Sequence, residues 1–212
     1  AFFELNRPQV VINCAGIASP EVCDHDRETA HRGNVEAVKA LCEICHKYGC
    51  KVIHISTDYV FDGTEVKEYD INAQTNPINY YGYTKAEAEK GVAAYSDNLI
   101  VRIPIIYGYN GLEDKETFPK KVLNALCDHV TLYLDNKQIR YPVLIDEIAI
   151  MISDALAERG IIHISSDRGV TKYTWAKVLA REFGYNDKLI KEDPDSNLAN
   201  RPPHTKLKLT QG

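Results

Sequence analysis

The segment Lys51-Val-Ile-His-Ile-Ser-Thr-Asp58 is a short apolar run that ends in three polar residues. A run of this length and composition predicts a buried β-strand. Two runs of the same kind, Val10-Val-Ile12 and Leu99-Ile-Val-Arg-Ile103, lie before and after it, and helical patterns separate them at about residues 20–48 and 79–95. This alternation predicts a doubly wound parallel sheet of the α/β class, with the first strand buried on both faces.

The second half of the chain predicts a small α/β lobe at the edge of that sheet. Helical patterns and short apolar runs alternate less regularly here. The predicted helices are 118–126, 146–157 and 174–183, and the predicted strands are 130–134, 138–141 and 161–164. We therefore divide the chain into residues 1–110, which belong to the main sheet, and residues 111–212, which form mainly the lobe and return to the sheet in some segments.

Charge and hydropathy exclude several classes of protein. The 212 residues carry a net charge of −5 and contain no run of Lys or Arg, which argues against nucleic acid as a partner. No apolar stretch approaches the roughly 20 residues that cross a bilayer, so no membrane association is predicted. No signal-peptide pattern opens the sequence, and a cytoplasmic location is the expectation.

The six cysteines include Cys42 and Cys45, which have the spacing of a metal or redox motif. Both lie on the apolar side of a predicted helix, and no second pair of Cys or His completes a zinc site. We interpret them as buried structural thiols in a reducing compartment, and we predict no metal site.

The segment Tyr81-Gly-Tyr-Thr-Lys85 places a phenol and an amine four residues apart. On a helix, residues at this spacing share one face. A nearby ammonium group favours the phenolate and lowers a tyrosine pKa, which would allow proton transfer near neutral pH. Spacing alone is a weak signal, because an exposed Tyr–Lys pair is common.

The positions of the strand ends strengthen that signal. Carboxyl ends of parallel strands meet at one edge of the sheet, where open α/β sheets bind ligands. Asn13-Cys-Ala-Gly16, Ser56-Thr-Asp58 and Arg102-Ile-Pro-Ile-Ile-Tyr-Gly108 all follow predicted strands. We therefore expect these three segments and the Tyr81/Lys85 helix to converge on one crevice.

The order of these motifs resembles the dTDP-4-dehydrorhamnose reductase family, a branch of the extended short-chain dehydrogenases. The resemblance rests on Asn13–Gly16, Ser56-Thr-Asp-Tyr-Val-Phe-Asp-Gly63, Tyr81–Lys85, Arg102–Gly108 and Arg201-Pro202, and it covers nearly the whole chain. It implies a Rossmann-type fold that binds NADPH or NADH, and a C-terminal lobe that binds a sugar nucleotide. It also implies that a homodimer can form.

The resemblance implies a role for each matching residue. Tyr81 would donate a proton to the substrate oxygen, Lys85 would hold the nicotinamide ribose and lower the Tyr81 pKa, and Thr57 would hydrogen-bond the reacting carbonyl. Asn34 matches an asparagine behind the site, although a helix N-cap explains it equally well. The implied cofactor contacts are Cys14, Ala15, Gly16, Ser56, Tyr81, Lys85, Ile103, Pro104 and Ile105, and the implied substrate contacts are Thr57, Asp58 and Arg201.

One family feature is absent from this sequence. No glycine-rich G-x-x-G-x-x-G loop, which would cradle a pyrophosphate, occurs in it. We expect that this loop and the first strands of the sheet precede Ala1.

Three functions remain open at this point. The first is an NAD(P)H-dependent reductase of a 4-keto sugar nucleotide. The second is a non-catalytic NADP-binding regulatory subunit that resembles the methionine adenosyltransferase β subunit, which Arg102–Gly108 also resembles. The third is a sugar-nucleotide epimerase or dehydratase on the same scaffold.

Overall fold

The computed structural model describes residues 2–64, 68–108, 117–196 and 200–210. Within them, the strands are β1 (Val10–Asn13), β2 (Lys51–Thr57), β3 (Leu99–Ile103), β4 (Ile106–Tyr107), β5 (Leu132–Leu134), β6 (Val143–Leu144), β7 (Gly160–His163) and β8 (Ile190–Glu192). The α-helices are α1 (Phe2–Asn6), α2 (Pro20–His25), α3 (Arg27–His31), α4 (Ala37–Lys47), α5 (Tyr80–Ala93), α6 (Phe118–Cys127), α7 (Ile145–Asp154) and α8 (Lys172–Glu182). A π-helical turn, Arg32–Glu36, joins α3 to α4, and short 3-10 turns cover Asp58–Val60, Ala155–Ala157 and Asp187–Leu189.

The main sheet has four parallel strands in the order β1-β2-β3-β7. In its register, Thr57 at the end of β2 lies opposite Ile103 at the end of β3. The parallel sheet predicted from the alternating pattern is confirmed. All four strands therefore present their carboxyl ends at the same edge.

Helices cover both faces of this sheet. On one face, Val52 and Ile100 pack with Cys42 and Cys45 of α4 and with Val92 of α5. The two cysteines are each 1% exposed, which confirms the prediction of buried structural thiols.

The opposite face packs against α7. Side chains of β2 and β3 contact this helix in a second apolar cluster, whose members include Ile53, Leu99, Val101, Ile148 and Ile152. Alternate residues of each strand thus enter different cores, as expected for a doubly wound sheet.

The prediction that the first strand is buried on both faces is wrong. Ile12 in β1 is 45% exposed. The reason is that β1 pairs with β2 alone in the described sheet, and α7 packs on residues of β2 and β3.

A buried ion pair fixes α5 on the sheet. Arg102 of β3 donates to both carboxylate oxygens of Glu89, at 3.0 and 2.8 Å. Ser56 of β2 donates to the same carboxylate at 2.6 Å, and the Arg102 guanidinium also lies 5.1 Å from the Phe61 ring centre. Two strands and one helix are therefore held by one network whose charges satisfy each other.

The first turn of α5 packs closely on the chain after β2. Asn79 caps the helix by accepting a hydrogen bond from the Gly82 N–H at 2.7 Å. A Cβ atom on Gly82 would overlap the carbonyl oxygen of Tyr59. The glycine between the two tyrosines of the Tyr81–Lys85 motif thus permits a close approach of two backbones.

The smaller lobe has its own core. Helices α6 and α8 pack with the parallel pair β5–β8 around Val122, Leu126, Ala176, Ala180 and Ile190. The predicted division of the chain at residue 110 lies outside the described residues, and it stays a prediction.

Two details of this half differ from expectation. Residues 138–141 do not form a strand, because only isolated bridges pair Ile139 with His204 and Arg140 with Val170. Helix α8 is capped by Thr171 and so begins before the predicted start at residue 174. Thr174 instead completes a reciprocal capping box three residues later. In the described part of the chain, no helix is long and apolar enough to cross a membrane.

We predict that Gly82→Ala destabilises the protein by about 1–3 kcal/mol or more, because the methyl group must displace the Tyr59 backbone. Urea unfolding measures this loss. Gly91→Ala is the matched control in the same helix. The three atoms nearest to its Cβ position belong to the exposed Lys39 side chain, the closest at 2.8 Å, and this side chain can shift more easily than the Tyr59 backbone. Alanine also favours the helix. Equal stabilities for the two variants would contradict this packing.

Candidate functional site

A cleft of about 400 Å³ lies at the carboxyl edge of the main sheet. Every site residue predicted from the sequence lines it: Cys14, Ala15, Gly16, Ser56, Thr57, Asp58, Tyr81, Lys85, Ile103, Pro104, Ile105 and Arg201. The expected convergence on one crevice is confirmed.

Lys85 is buried behind the cleft, and its amine is held by β2. Its Nζ donates to the Ile55 carbonyl oxygen at 2.6 Å and lies 3.1 Å from His54 Nε2. His54 is fully buried, and its other ring nitrogen lies 3.1 Å from the Asn13 amide nitrogen. The last residue of β1 is thereby connected to Lys85 through one imidazole.

Burial lowers the pKa of Lys85 to about 8, although the nearby Glu89 acts in the opposite direction. Burial, together with the charge of Lys85, lowers the pKa of His54 to about 3. The imidazole is therefore neutral at physiological pH.

Tyr81 does not have the lowered pKa that the motif suggested. Burial raises its pKa to about 12, and a hydrogen bond with Thr57 only partly opposes this effect. Within the described residues, Lys85 Nζ bonds Ile55 and His54 rather than the Tyr81 hydroxyl. Tyr81 and Lys85, four residues apart, therefore line the same cleft, but the hydrogen bonds of the Lys85 amine are to β2.

Thr57 is fixed at the point where β2 ends. Its hydroxyl oxygen accepts from the Tyr59 N–H at 3.2 Å and donates to Asp58 Oδ1 at 3.2 Å. Asp58 is 1% exposed, and its second oxygen accepts from Thr205 at 2.5 Å. The carboxylate is thus part of the scaffold that orients Thr57.

Two residues behind the cleft have more specific roles than the sequence indicated. The Ser56 hydroxyl is donated to Glu89, so this side chain serves the buried network even though the residue lines the cleft. Asn34 lies in the π-helical turn and is not a helix N-cap. It accepts from the Ile17 N–H at 2.8 Å and donates to the Ile17 carbonyl and to Thr84, each at 3.0 Å. Asn34 therefore ties the loop after β1 to α5.

Arg201 both lines the cleft and forms an ion pair with Glu21. Its other terminal nitrogen lies 3.5 Å from the Tyr59 hydroxyl. Arg201 therefore combines a surface ion pair with a position at the cleft.

Sequence reasoning missed Tyr59 and Arg140, which also line the cleft. Tyr59 belongs to the Ser56–Gly63 block, so its neighbours could have suggested it. Arg140 lies in the segment predicted as a strand, and no motif marks it. Its guanidinium stacks over the Tyr59 ring at 4.5 Å and lies 3.6 Å from Asp58.

The cleft has the chemistry to hold the nicotinamide half of a dinucleotide. Ile103, Pro104 and Ile105 contribute apolar side chains to the lining of the cleft, and Tyr81 and Lys85 contribute polar groups. A flat ring with an attached polyhydroxyl sugar fits a lining that combines apolar and polar side chains. Among the described residues, no three His, Cys, Asp or Glu side chains cluster in a way that could hold a metal ion.

The fold is of the Rossmann type, and helix α5 brings Tyr81 and Lys85 to a cleft at the carboxyl edge of the sheet. Comparison with known proteins identifies the family: the RmlD substrate binding domain matches residues 1–212. The chain belongs to this family, which confirms the resemblance inferred from the motifs.

Three individual proteins show what the chain is similar to. The chain is 30% identical over 220 residues to bovine (Bos taurus) methionine adenosyltransferase 2 subunit beta, covering 95% of this chain and 63% of that protein. It is 28% identical to a dTDP-4-keto-6-deoxy-D-glucose reductase of Streptomyces niveus, covering 98% of this chain and 73% of the relative. A Clostridium acetobutylicum dTDP-4-dehydrorhamnose reductase superposes with a TM-score of 0.89 at 28% identity, covering 98% of this chain and 74% of that structure. The chain thus spans slightly less than two thirds of the bovine protein.

We predict that Lys85 loses its proton near pH 8. Burial disfavours the charged form of its amine, so the pKa lies below that of an exposed lysine. NMR of ¹³C-labelled lysine side chains would show a resonance titrating with a midpoint of about 8. This resonance should be absent from Lys85→Met and present in the surface control Lys90→Met. A spectrum in which Lys85 titrates with the exposed lysines would contradict the burial of its amine.

Proposed function

We propose that the protein containing this chain is an NAD(P)H-dependent reductase of a 4-keto sugar nucleotide. The observation that carries the proposal is the placement of Thr57, Tyr81 and Lys85 around one cleft at the carboxyl edge of the sheet. The reductase relatives named above support the same reaction class.

Tyr81 is suited to act as the general acid. Its raised pKa keeps the phenol protonated at neutral pH, which a proton donor requires. The alkoxide that forms when a carbonyl is reduced is more basic than a phenolate, so proton transfer from Tyr81 remains favourable.

Thr57 would hold the reacting carbonyl oxygen beside Tyr81. Its hydroxyl is already positioned by the Tyr59 N–H, and it would turn its proton from Asp58 to the substrate. A donor fixed before the substrate arrives stabilises developing negative charge without reorganisation.

The cofactor would be NADPH or NADH, which supplies a hydride when bound. Lys85 and Tyr81 would bind the ribose hydroxyl groups, and Ile103–Ile105 would pack on the nicotinamide. Cys14, Ala15 and Gly16 are exposed at the cleft and would lie along the dinucleotide. Ser56 would contribute through its backbone, because its hydroxyl is engaged by Glu89.

The experiment is an assay of the full-length protein with NADPH and dTDP-4-dehydro-L-rhamnose. We expect turnover in the wild type and a loss of about 10²- to 10⁴-fold in kcat for Tyr81→Phe, because the variant has no proton to donate. Tyr83→Phe is the matched control, since Tyr83 lies in the same motif and is 43% exposed. Unchanged turnover in Tyr81→Phe would show that Tyr81 is not the acid.

A second candidate is a regulatory subunit that binds NADP(H) and a partner enzyme. The 30% identity to a methionine adenosyltransferase β subunit over 95% of this chain favours it. Size-exclusion chromatography of the full-length protein with a purified methionine adenosyltransferase catalytic subunit tests it. A stoichiometric complex that persists in Tyr81→Phe, without reductase turnover, would establish this function instead.

The proposal places the protein in the cytoplasm, where sugar nucleotides and reduced thiols coexist. All six cysteines are free thiols, which supports a reducing compartment. Homodimer formation stays a prediction.

A further inference from the structure

Arg140 carries a buried N–H group that has no partner in the described residues. The side chain is 9% exposed, and its Nη1 atom makes no hydrogen bond there. Buried polar groups in folded proteins are almost always hydrogen-bonded, so an unpaired guanidinium N–H at a cleft is a candidate ligand contact.

The guanidinium is held in place from two other directions. Tyr59 supports its face at 4.5 Å, and Asp58 Oδ2 lies 3.6 Å from Nη2. The guanidinium plane stacks on the Tyr59 ring, and its Nη2 edge faces the Asp58 carboxylate. These two contacts restrict rotation of the guanidinium.

Asp58 neutralises this charge only in part. Its Oδ2 atom already accepts the short hydrogen bond from Thr205, and its Oδ1 atom accepts from Thr57. The separation of 3.6 Å from Arg140 is longer than a charge-assisted hydrogen bond. Positive potential therefore remains at the Nη1 side of the guanidinium.

Two further cations lie near this position. Arg201 lines the same cleft, and Lys172 is close enough to both arginines that, after burial, their charges lower its pKa. The acidic groups of this region are otherwise engaged: Glu21 pairs with Arg201, and Asp135 accepts from the backbone N–H groups of residues 137 and 138. Because Glu21 neutralises Arg201, the cation that keeps an unpaired N–H group at this end of the cleft, among the described residues, is Arg140.

We propose that Arg140 binds an oxyanion of the ligand, a phosphate group of the nucleotide, through Nη1. A planar guanidinium suits phosphate oxygens better than an ammonium group does. The inference rests on the proposed sugar-nucleotide substrate and assigns to Arg140 a contact that no motif in the sequence indicated. Because Arg140 contacts Asp58, which adjoins Thr57, this phosphate lies on the sugar side of the cleft.

Calorimetric titration of the full-length protein with dTDP tests the assignment. We expect Arg140→Lys and Arg140→Gln to weaken dTDP binding by about tenfold or more, because a buried charge-assisted contact is lost. Arg140→Lys keeps a positive charge near the buried Asp58 carboxylate, so we expect this variant to fold. Circular dichroism would verify that each variant is folded. Arg168→Gln, an exposed residue, is the matched control and should bind as the wild type does. NADPH binding should be unchanged in all three variants.

The wild type alone gives a second test that does not depend on any variant folding. It should bind dTDP about tenfold or more tightly than thymidine, which lacks the phosphates. Equal affinities for the two compounds, or unchanged dTDP affinity in folded Arg140→Lys, would overturn the inference. The two proposals can fail separately. If the protein shows no reductase turnover but still binds dTDP through its phosphates in a way that requires Arg140, the proposed reaction is wrong and the assignment of Arg140 is supported.

Discussion

The buried ion pair between Arg102 and Glu89 is the interaction on which the site geometry depends. It joins the end of β3 to the middle of α5, and Ser56 joins β2 to the same carboxylate. Lys85 lies one turn before Glu89 on α5, so its amine reaches the Ile55 carbonyl of β2. Loss of one partner would leave an uncompensated charge in the core, which is far more costly than losing an exposed pair.

The parallel register completes the arrangement. Thr57 ends β2 opposite Ile103 of β3, so the polar donor and the apolar wall arise from two neighbouring strand ends. Asn34 then holds the loop after β1 against α5 through Ile17 and Thr84. Each wall of the cleft is therefore fixed by the backbone of the sheet or by a buried side chain.

The periodicity of the sequence was sufficient to predict the sheet and the convergence of its strand ends. Apolar runs such as Val52–Ile55 identify strands, and parallel topology then determines which loops meet. Motif order also predicted that Tyr81 and Lys85 lie at the same cleft as the strand ends. The common reason is that these features depend on local pattern and on the few topologies that short crossovers allow.

Other features depend on contacts between distant residues, which no local pattern contains. Arg140 enters the cleft because Tyr59 and Asp58, about 80 residues earlier in the chain, hold its guanidinium. The raised pKa of Tyr81 reflects burial, which spacing cannot reveal. Ile12 is exposed although its apolar run resembles that of a strand buried on both faces. The boundary at residue 110 rested on the less regular alternation of helical patterns and apolar runs in the second half of the chain.

We propose that this cleft positions a nicotinamide against Ile103–Ile105, with its ribose on Tyr81 and Lys85. A crystal structure of the full-length protein with NADP⁺ tests it most directly. We expect the ribose hydroxyls to lie within about 3 Å of the Tyr81 hydroxyl and Lys85 Nζ. A cofactor bound away from this cleft, or with its adenine end in place of the nicotinamide, would contradict it.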